Sequence, residues 1–175
     1  MYYLGGGADD VNNGNNCEDA FLRTSLYEEA NWTLISFNFG LHDLYNDSKS
    51  EAEYEVALTN FTNRLLKTSS KLVFISTTPY MPYRYYGNTV VEDLNAIAQR
   101  VVSKVGIPYA DLYHHITAYC GAVYSFCDIC DNESSFWPAN SPPGANCGYH
   151  YTDSGYAYIS EFLSPIFAGI LNRIT

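Results

Sequence analysis

Basic residues are scarce in this chain: nine Lys and Arg stand against nineteen Asp and Glu, for a net charge of −10 over 175 residues. A surface that grips phosphate needs a concentrated basic footprint, so nucleic acid and anionic membrane are excluded as partners. Long apolar runs are missing too. None approaches the ~20 residues of a membrane span, and the opening Met-Tyr-Tyr-Leu-Gly-Gly-Gly has neither the basic nor the apolar region of a signal peptide. Charge of either sign is modest at 16%, while hydrophobic residues reach 47% and aromatics 16%, which is too apolar for a disordered chain. The length suits one domain over 1–175 with a proper core. Seventeen tyrosines favour a neutral, carbohydrate-like partner, because a ring bearing a hydroxyl packs on sugars and hydrogen-bonds at its tip.

Two features suggest an oxidising, extracellular compartment. Four sequons occur, at Asn31, Asn46, Asn60 and Asn132, each followed at the second position by Ser or Thr. Cysteines cluster as well. Cys120, Cys127, Cys130 and Cys147 fall in or beside a Gly-, Pro-, Ser- and Asn-rich stretch, an insertion-like loop at about 119–147 that needs staples, and Cys17 is the odd one out. Cys127 and Cys130 have the C-x-x-C spacing of redox and zinc sites. Zinc needs two further ligands and a redox motif opens a helix after a strand, so structural disulfides are favoured, with Cys127 and Cys130 paired to each other or split between Cys120 and Cys147.

Along the chain, residues 1–19 read as loop, with Gly14 in a turn, and 19–30 as a short helix. Leu34 to Phe39 reads as a buried strand ending at Gly40. Ser50 to Lys67 reads as a helix, with Ser50 as N-cap and Tyr54, Ala57, Leu58, Phe61 and Leu65 inward. Leu72 to Ser76 is the next strand, and the Tyr80 to Gly87 loop after it is a candidate cleft wall. Val90 to Val105 follows as a helix with Val91, Leu94, Ile97, Ala98, Val101 and Val105 inward. Gly106 caps it, and Ile107 to Leu112 is the last short strand. His114 and His115 come directly afterwards and lack metal-ligand spacing. A final amphipathic helix runs from Tyr156 to Ile174. Strands alternating with helices give a parallel sheet with right-handed crossovers, in a three-layer α/β/α sandwich. Ligands collect at the carboxyl ends of such strands, where the sequence puts Gly40, His42 and Asp43.

The run Phe-Asn-Phe-Gly-Leu-His-Asp-Leu, residues 37–44, resembles the third block of the SGNH (GDSL-type) hydrolases, in the subgroup with Gly-X-His-Asp. Three later stretches fit in order: Lys71 to Pro79; Asp93 to Ala98 with Ile107 to Tyr113; and Gly148 to Tyr156, which is similar to the block around the catalytic histidine. The resemblance implies acyl transfer, with a serine attacking an ester, His150 as base, and Gly40 and His42, with Gly14 from the second block, as oxyanion donors. It implies no cofactor, and a carbohydrate or small ester as substrate. Two departures stand out: Cys147 occupies the orienting aspartate's position, Asp153 lying three residues past the histidine, and no Gly-Asp-Ser block occurs. The nucleophile and the first strand are therefore expected outside this sequence. Otherwise the fold is reused as a binding or structural glycoprotein, with a homo-oligomer or partner chain supplying that strand. His150 and the Gly40 to Asp43 turn are expected to share one sheet edge.

Overall fold

The computed structural model describes residues 11, 14–15, 32–43, 50–79, 87–121, 127–132 and 147–172. The elements, in chain order, are β1 (Leu34–Phe37), α1 (Glu51–Leu65), β2 (Lys71–Ile75), α2 (Gly87–Lys104), β3 (Tyr109–Ala110), α3 (Leu112–Cys120), β4 (Cys130–Asn132), β5 (Cys147–Tyr151) and α4 (Asp153–Leu171). The chain divides into two compact units, one of Met1–Ile75 with Asp93–Tyr109 and one of Ser76–Glu92 with Ala110–Thr175. Cys17, Asn31, Asn46, the residue 80–86 loop and the 19–30 helix lie outside the described residues.

In the first unit the sheet order is β1-β2-β3, with β1 parallel to β2 in the register Leu34 to Lys71 and Phe37 to Phe74. The expected alternation of strand and helix is therefore present, and the sheet is parallel. β2 carries the core: Leu72, Val73 and Phe74 are buried, as its continuous apolar run demands of a strand covered on both faces. Phe74 packs edge-on to Phe37 with centroids 5.3 Å apart and stacks on Tyr109 at 5.8 Å.

α1 forms where its caps dictate. Ser50 accepts from the Glu53 backbone N–H, and the Glu53 carboxylate accepts from the Ser50 N–H at 2.8 Å, so two otherwise orphaned donors are satisfied. The stripe of Tyr54, Ala57, Leu58, Phe61 and Leu65 is buried as the periodicity predicts, and Phe61 meets Phe37 at 5.8 Å and Phe39 at 4.9 Å. On its exposed side Glu55 pairs with Arg100 of α2 at 2.8 Å, which lowers the pKa of the Glu55 carboxyl through that hydrogen bond.

Several expectations are corrected. β1 stops at Phe37, two residues early, because Asn38 leaves the ladder and donates from Nδ2 to the Ile75 carbonyl at 2.7 Å. α2 starts at Gly87 and ends at Lys104, so Val105 lies past the helix and is 39% exposed instead of inward. Gly106 ends that segment with φ +73°. The third strand is only two residues long. Asp111 interrupts it, capping a helix that the sequence reading treated as strand and loop: its carboxylate accepts from the His114 N–H at 3.2 Å and meets His114 Nδ1 at 2.8 Å. His114 and His115 thus sit on α3.

In the second unit the stretch at 119–147 is not wholly loop. Tyr119 and Cys120 end α3, and β4 pairs antiparallel with β5, Cys130 opposite Tyr151. Cys120 bonds to Cys127, so the C-x-x-C is split, and Cys130 is disulfide-bonded as well. Thr152, four residues before the expected helix start and one before the actual one, caps α4: its Oγ1 accepts from the Gly155 N–H at 3.1 Å and donates to the Ile129 carbonyl at 3.1 Å. Gly155 allows this closeness, because a methyl there would collide with the Ile129 carbonyl oxygen. The helix continues through Pro165, and its apolar residues Ile159, Phe162, Leu163, Ile166 and Phe167 are half-buried, with only Gly155 and Ile170 fully so. Against it His115 is stacked between Tyr158 at 4.4 Å and Phe162 at 4.2 Å. No described helix is long and apolar enough to cross a membrane.

Candidate functional site

The chemistry-bearing turn follows β1. Phe39 and Gly40 are buried, Leu41 to Asp43 form the turn, and His42 is exposed at its tip. Gly40 has φ 147°, a conformation costly for any residue with a Cβ, so glycine is required here by the backbone. Chain direction at this corner is fixed by two buried groups. The Tyr54 hydroxyl donates to the Phe39 carbonyl at 2.9 Å, and Asp43 Oδ1 accepts from the Val11 N–H at 3.1 Å. Val11 and Gly14 are helical, so the bond ties this carboxylate to a helical backbone N–H.

Gly14 is helical and buried rather than in a loop turn. A Cβ on it would lie 2.6 Å from Phe39 Cζ and 3.3 Å from Phe61, so a hydrogen is what lets its segment approach the end of β1. Asn15 completes the joint, its Nδ2 donating to the carbonyls of Val11 at 3.1 Å and Ala57 at 2.9 Å, while the Asn15 carbonyl accepts from the Arg64 guanidinium. The structure therefore brings Gly14 and its neighbours to the turn that holds Gly40 and His42. The sequence reading missed the buried roles of Asn15 and Asp43. Asn15 stands in a Gly-Asn cluster that resembles any turn, and nothing in the sequence distinguishes Asp43 as structural.

Burial, then the Asp43 and Tyr109 fields, pushes the Tyr54 hydroxyl well above its usual value of 10.0. In the unfolded chain it ionises near that value while the folded chain keeps its proton, so above pH 10 the unfolded state binds fewer protons and stability falls as pH rises. The denaturant midpoint is expected to drop between pH 9 and pH 11. Tyr54→Phe should flatten part of that slope while lowering stability at pH 7 by about 1 kcal/mol for the lost hydrogen bond.

In the second unit His150 is exposed on β5, whereas the next residue, Tyr151, is buried and packs its ring against Tyr156 at 6.0 Å. It lies inside a strand, two residues before the Thr152 cap, and not at a helix start. Asp153 occupies the first turn of α4. Also in this unit, Ser76 is buried at the carboxyl end of β2 with its Oγ accepting from the Tyr113 N–H at 2.8 Å. The Tyr113 hydroxyl donates to Glu92 at 2.7 Å, and burial followed by that carboxylate raises its pKa. Ser76 is thus a positioning group.

No family model and no curated protein matches the chain. Solved structures do. A lipase/acylhydrolase from Enterococcus faecalis aligns with TM-score 0.63 at 19% identity, covering 93% of this chain and 72% of that one. A protein described as a GDSL-like lipase, from Parabacteroides merdae, aligns with TM-score 0.62 at 8% identity over 89% of this chain and 68% of its own. An alpha/beta hydrolase enzyme from the metagenome of Lake Arreo, Spain, gives 0.60 at 12% identity over 96% and 70%. At such identities the likeness concerns architecture alone: this chain has the α/β fold, with a parallel sheet, of GDSL-like hydrolase structures.

Proposed function

We propose that this chain is a secreted, glycosylated α/β domain of the SGNH type, in the Gly-X-His-Asp subgroup. In this reading it hydrolyses an ester, an acyl group carried on a carbohydrate, with the serine nucleophile supplied by residues outside this sequence. The three-layer sandwich and the additional first strand belong to the same reading. What carries it is the Gly40 to Asp43 turn, which follows a parallel strand of a fold shared with a GDSL-like lipase structure and has Gly14 packed at its base.

The roles follow from the chemistry. The serine Oγ forms the bond to the ester carbonyl as its proton passes to His150, the carbonyl oxygen gains negative charge, and N–H donors at Gly40, His42 and Gly14 stabilise it. His150 then returns the proton to the departing alkoxide. An imidazole at position 42 donates only in the tautomer with its proton facing the oxyanion, or when protonated. A fluorophosphonate probe tests the assignment: it should label a longer form of the chain at a serine upstream of residue 1 and leave residues 1–175 unlabelled. Labelling of a serine within residues 1–175 would refute it.

A second reading, an inactive fold serving as a binding or structural glycoprotein, is favoured by Cys147. A cysteine three residues before His150 cannot supply the carboxylate that orients an imidazole. Both readings expect glycans. Asn60 is exposed on α1 and Asn132 lies on β4. At least two of Asn31, Asn46, Asn60 and Asn132 should carry glycan, read as a loss of intact mass on glycosidase treatment; an unchanged mass would argue against secretion.

A further inference from the structure

We infer that Tyr54 is a positioning residue for the reaction proposed above: its hydroxyl holds the Phe39–Gly40 peptide so that the Gly40 N–H is aimed as an oxyanion donor. The inference rests on that reading of Gly40, and the residues that carry it all lie in the first unit.

A donor that meets charge as it develops has to be oriented beforehand, and a glycine orients nothing by itself. Gly40 has φ 147°, and a residue without a Cβ also accepts the negative φ that a flip of the preceding peptide plane produces. The plane therefore needs a hold from outside the turn. Phe39 supplies only part of it. Its ring is fixed edge-on to Phe61 at 4.9 Å and lies where Gly14 leaves room, but a side chain does not set the plane of the peptide that follows it.

Tyr54 supplies the rest. The peptide is trans, so its C=O and N–H point in opposite directions, and a bond that fixes the carbonyl fixes the N–H as well. The Tyr54 hydroxyl donates to the Phe39 carbonyl at 2.9 Å, which turns the Gly40 N–H away from Tyr54. Accepting that bond also polarises the peptide and makes its N–H the better donor. Tyr54 is itself held: it is 1% exposed, and its backbone N–H donates to the Ser50 carbonyl at 3.1 Å, within the turn that the Ser50 and Glu53 capping box fixes. Packing alone asks only for a phenyl ring here, since a hydroxyl taken into the core has to find a partner. Burial keeps the proton on this hydroxyl well past its usual value of 10.0, so the support is the same on either side of neutrality.

Two readouts test the inference. In residues 1–175, Tyr54→Phe keeps the ring and removes the hold, so the Gly40 amide should move further in the NMR spectrum than any other amide outside α1 and exchange faster with solvent. Thr68→Ala is the control: it deletes a hydrogen bond to the Leu65 carbonyl at the other end of α1 and should leave the Gly40 amide in place. In a form extended upstream through a Gly-Asp-Ser block, Tyr54→Phe should lower kcat for p-nitrophenyl acetate about 10-fold with KM unchanged. The factor should be equal in mildly acidic and mildly basic buffer, and Thr68→Ala should leave kcat as it is. A Gly40 amide that Tyr54→Phe does not move overturns the inference, and so does a kcat for Tyr54→Phe equal to that of Thr68→Ala. An extended wild type that is itself inactive refutes the hydrolase reading and takes the catalytic role of Tyr54 with it, the Gly40 amide shift then upholding the hold on the peptide alone.

Discussion

A form of this chain extended upstream through a Gly-Asp-Ser block should hydrolyse p-nitrophenyl acetate on the order of 10⁴-fold faster than residues 1–175 alone, and His150→Ala should abolish the gain. The magnitude follows from what the shorter chain contains. An exposed histidine and a few oriented N–H groups polarise water and stabilise some oxyanion charge, but without a nucleophile the difficult step is not divided in two. Replacing His42 by Ala in the extended form should cost about 10²–10³ in kcat with KM little changed, the signature of a donor that acts on charge developed only in the transition state. If the extended form stays at the rate of residues 1–175, the hydrolase reading fails and the glycoprotein reading stands. If residues 1–175 alone are fast and His150→Ala silences them, a nucleophile inside the chain has to be sought.

How much of this was legible in the sequence depended on whether the deciding interaction was local. α1 was readable almost to the residue, because Ser50 and Glu53 make their capping box within four positions and the buried stripe repeats at helical spacing. β2 was off by one residue for the same reason: an uninterrupted apolar run between polar flanks has few alternatives. α3 was missed because Asp111 after a short apolar run serves equally as the end of a strand or the cap of a helix. The pairing of β4 with β5 was invisible, since its partners are separated by a Pro- and Gly-rich stretch that suggests only loop. At the candidate site, glycine at position 40 could be read from the strand that ends there. The anchoring of the turn by Tyr54 and Asp43 could not, because each bond spans more than ten residues and is made possible by burial alone.

The same corner of the fold gives the largest expected change in stability. Phe74 is wholly inaccessible, with Phe37 edge-on to it on one side and Tyr109 stacked on the other. Phe74→Ala removes a ring from β2, which lies between β1 and β3, and the neighbouring backbones are held by hydrogen bonds from Lys71 to Thr33 and from Phe74 to Pro108, so collapse into the cavity is resisted. The expected cost is about 3–5 kcal/mol, a large share of the roughly 5–15 kcal/mol that a domain has in all. Phe74→Leu keeps most of the volume and should cost markedly less, about 1–2 kcal/mol. Denaturant unfolding separates the two by midpoint at a shared slope. Because Phe37 leans on Phe74 and leads directly into Phe39 and Gly40, the alanine variant should also speed amide exchange at Gly40 and Leu41 beyond what global destabilisation accounts for. A Phe74→Ala variant as stable as the wild type would mean that β1 and its turn are held by something other than this aromatic contact.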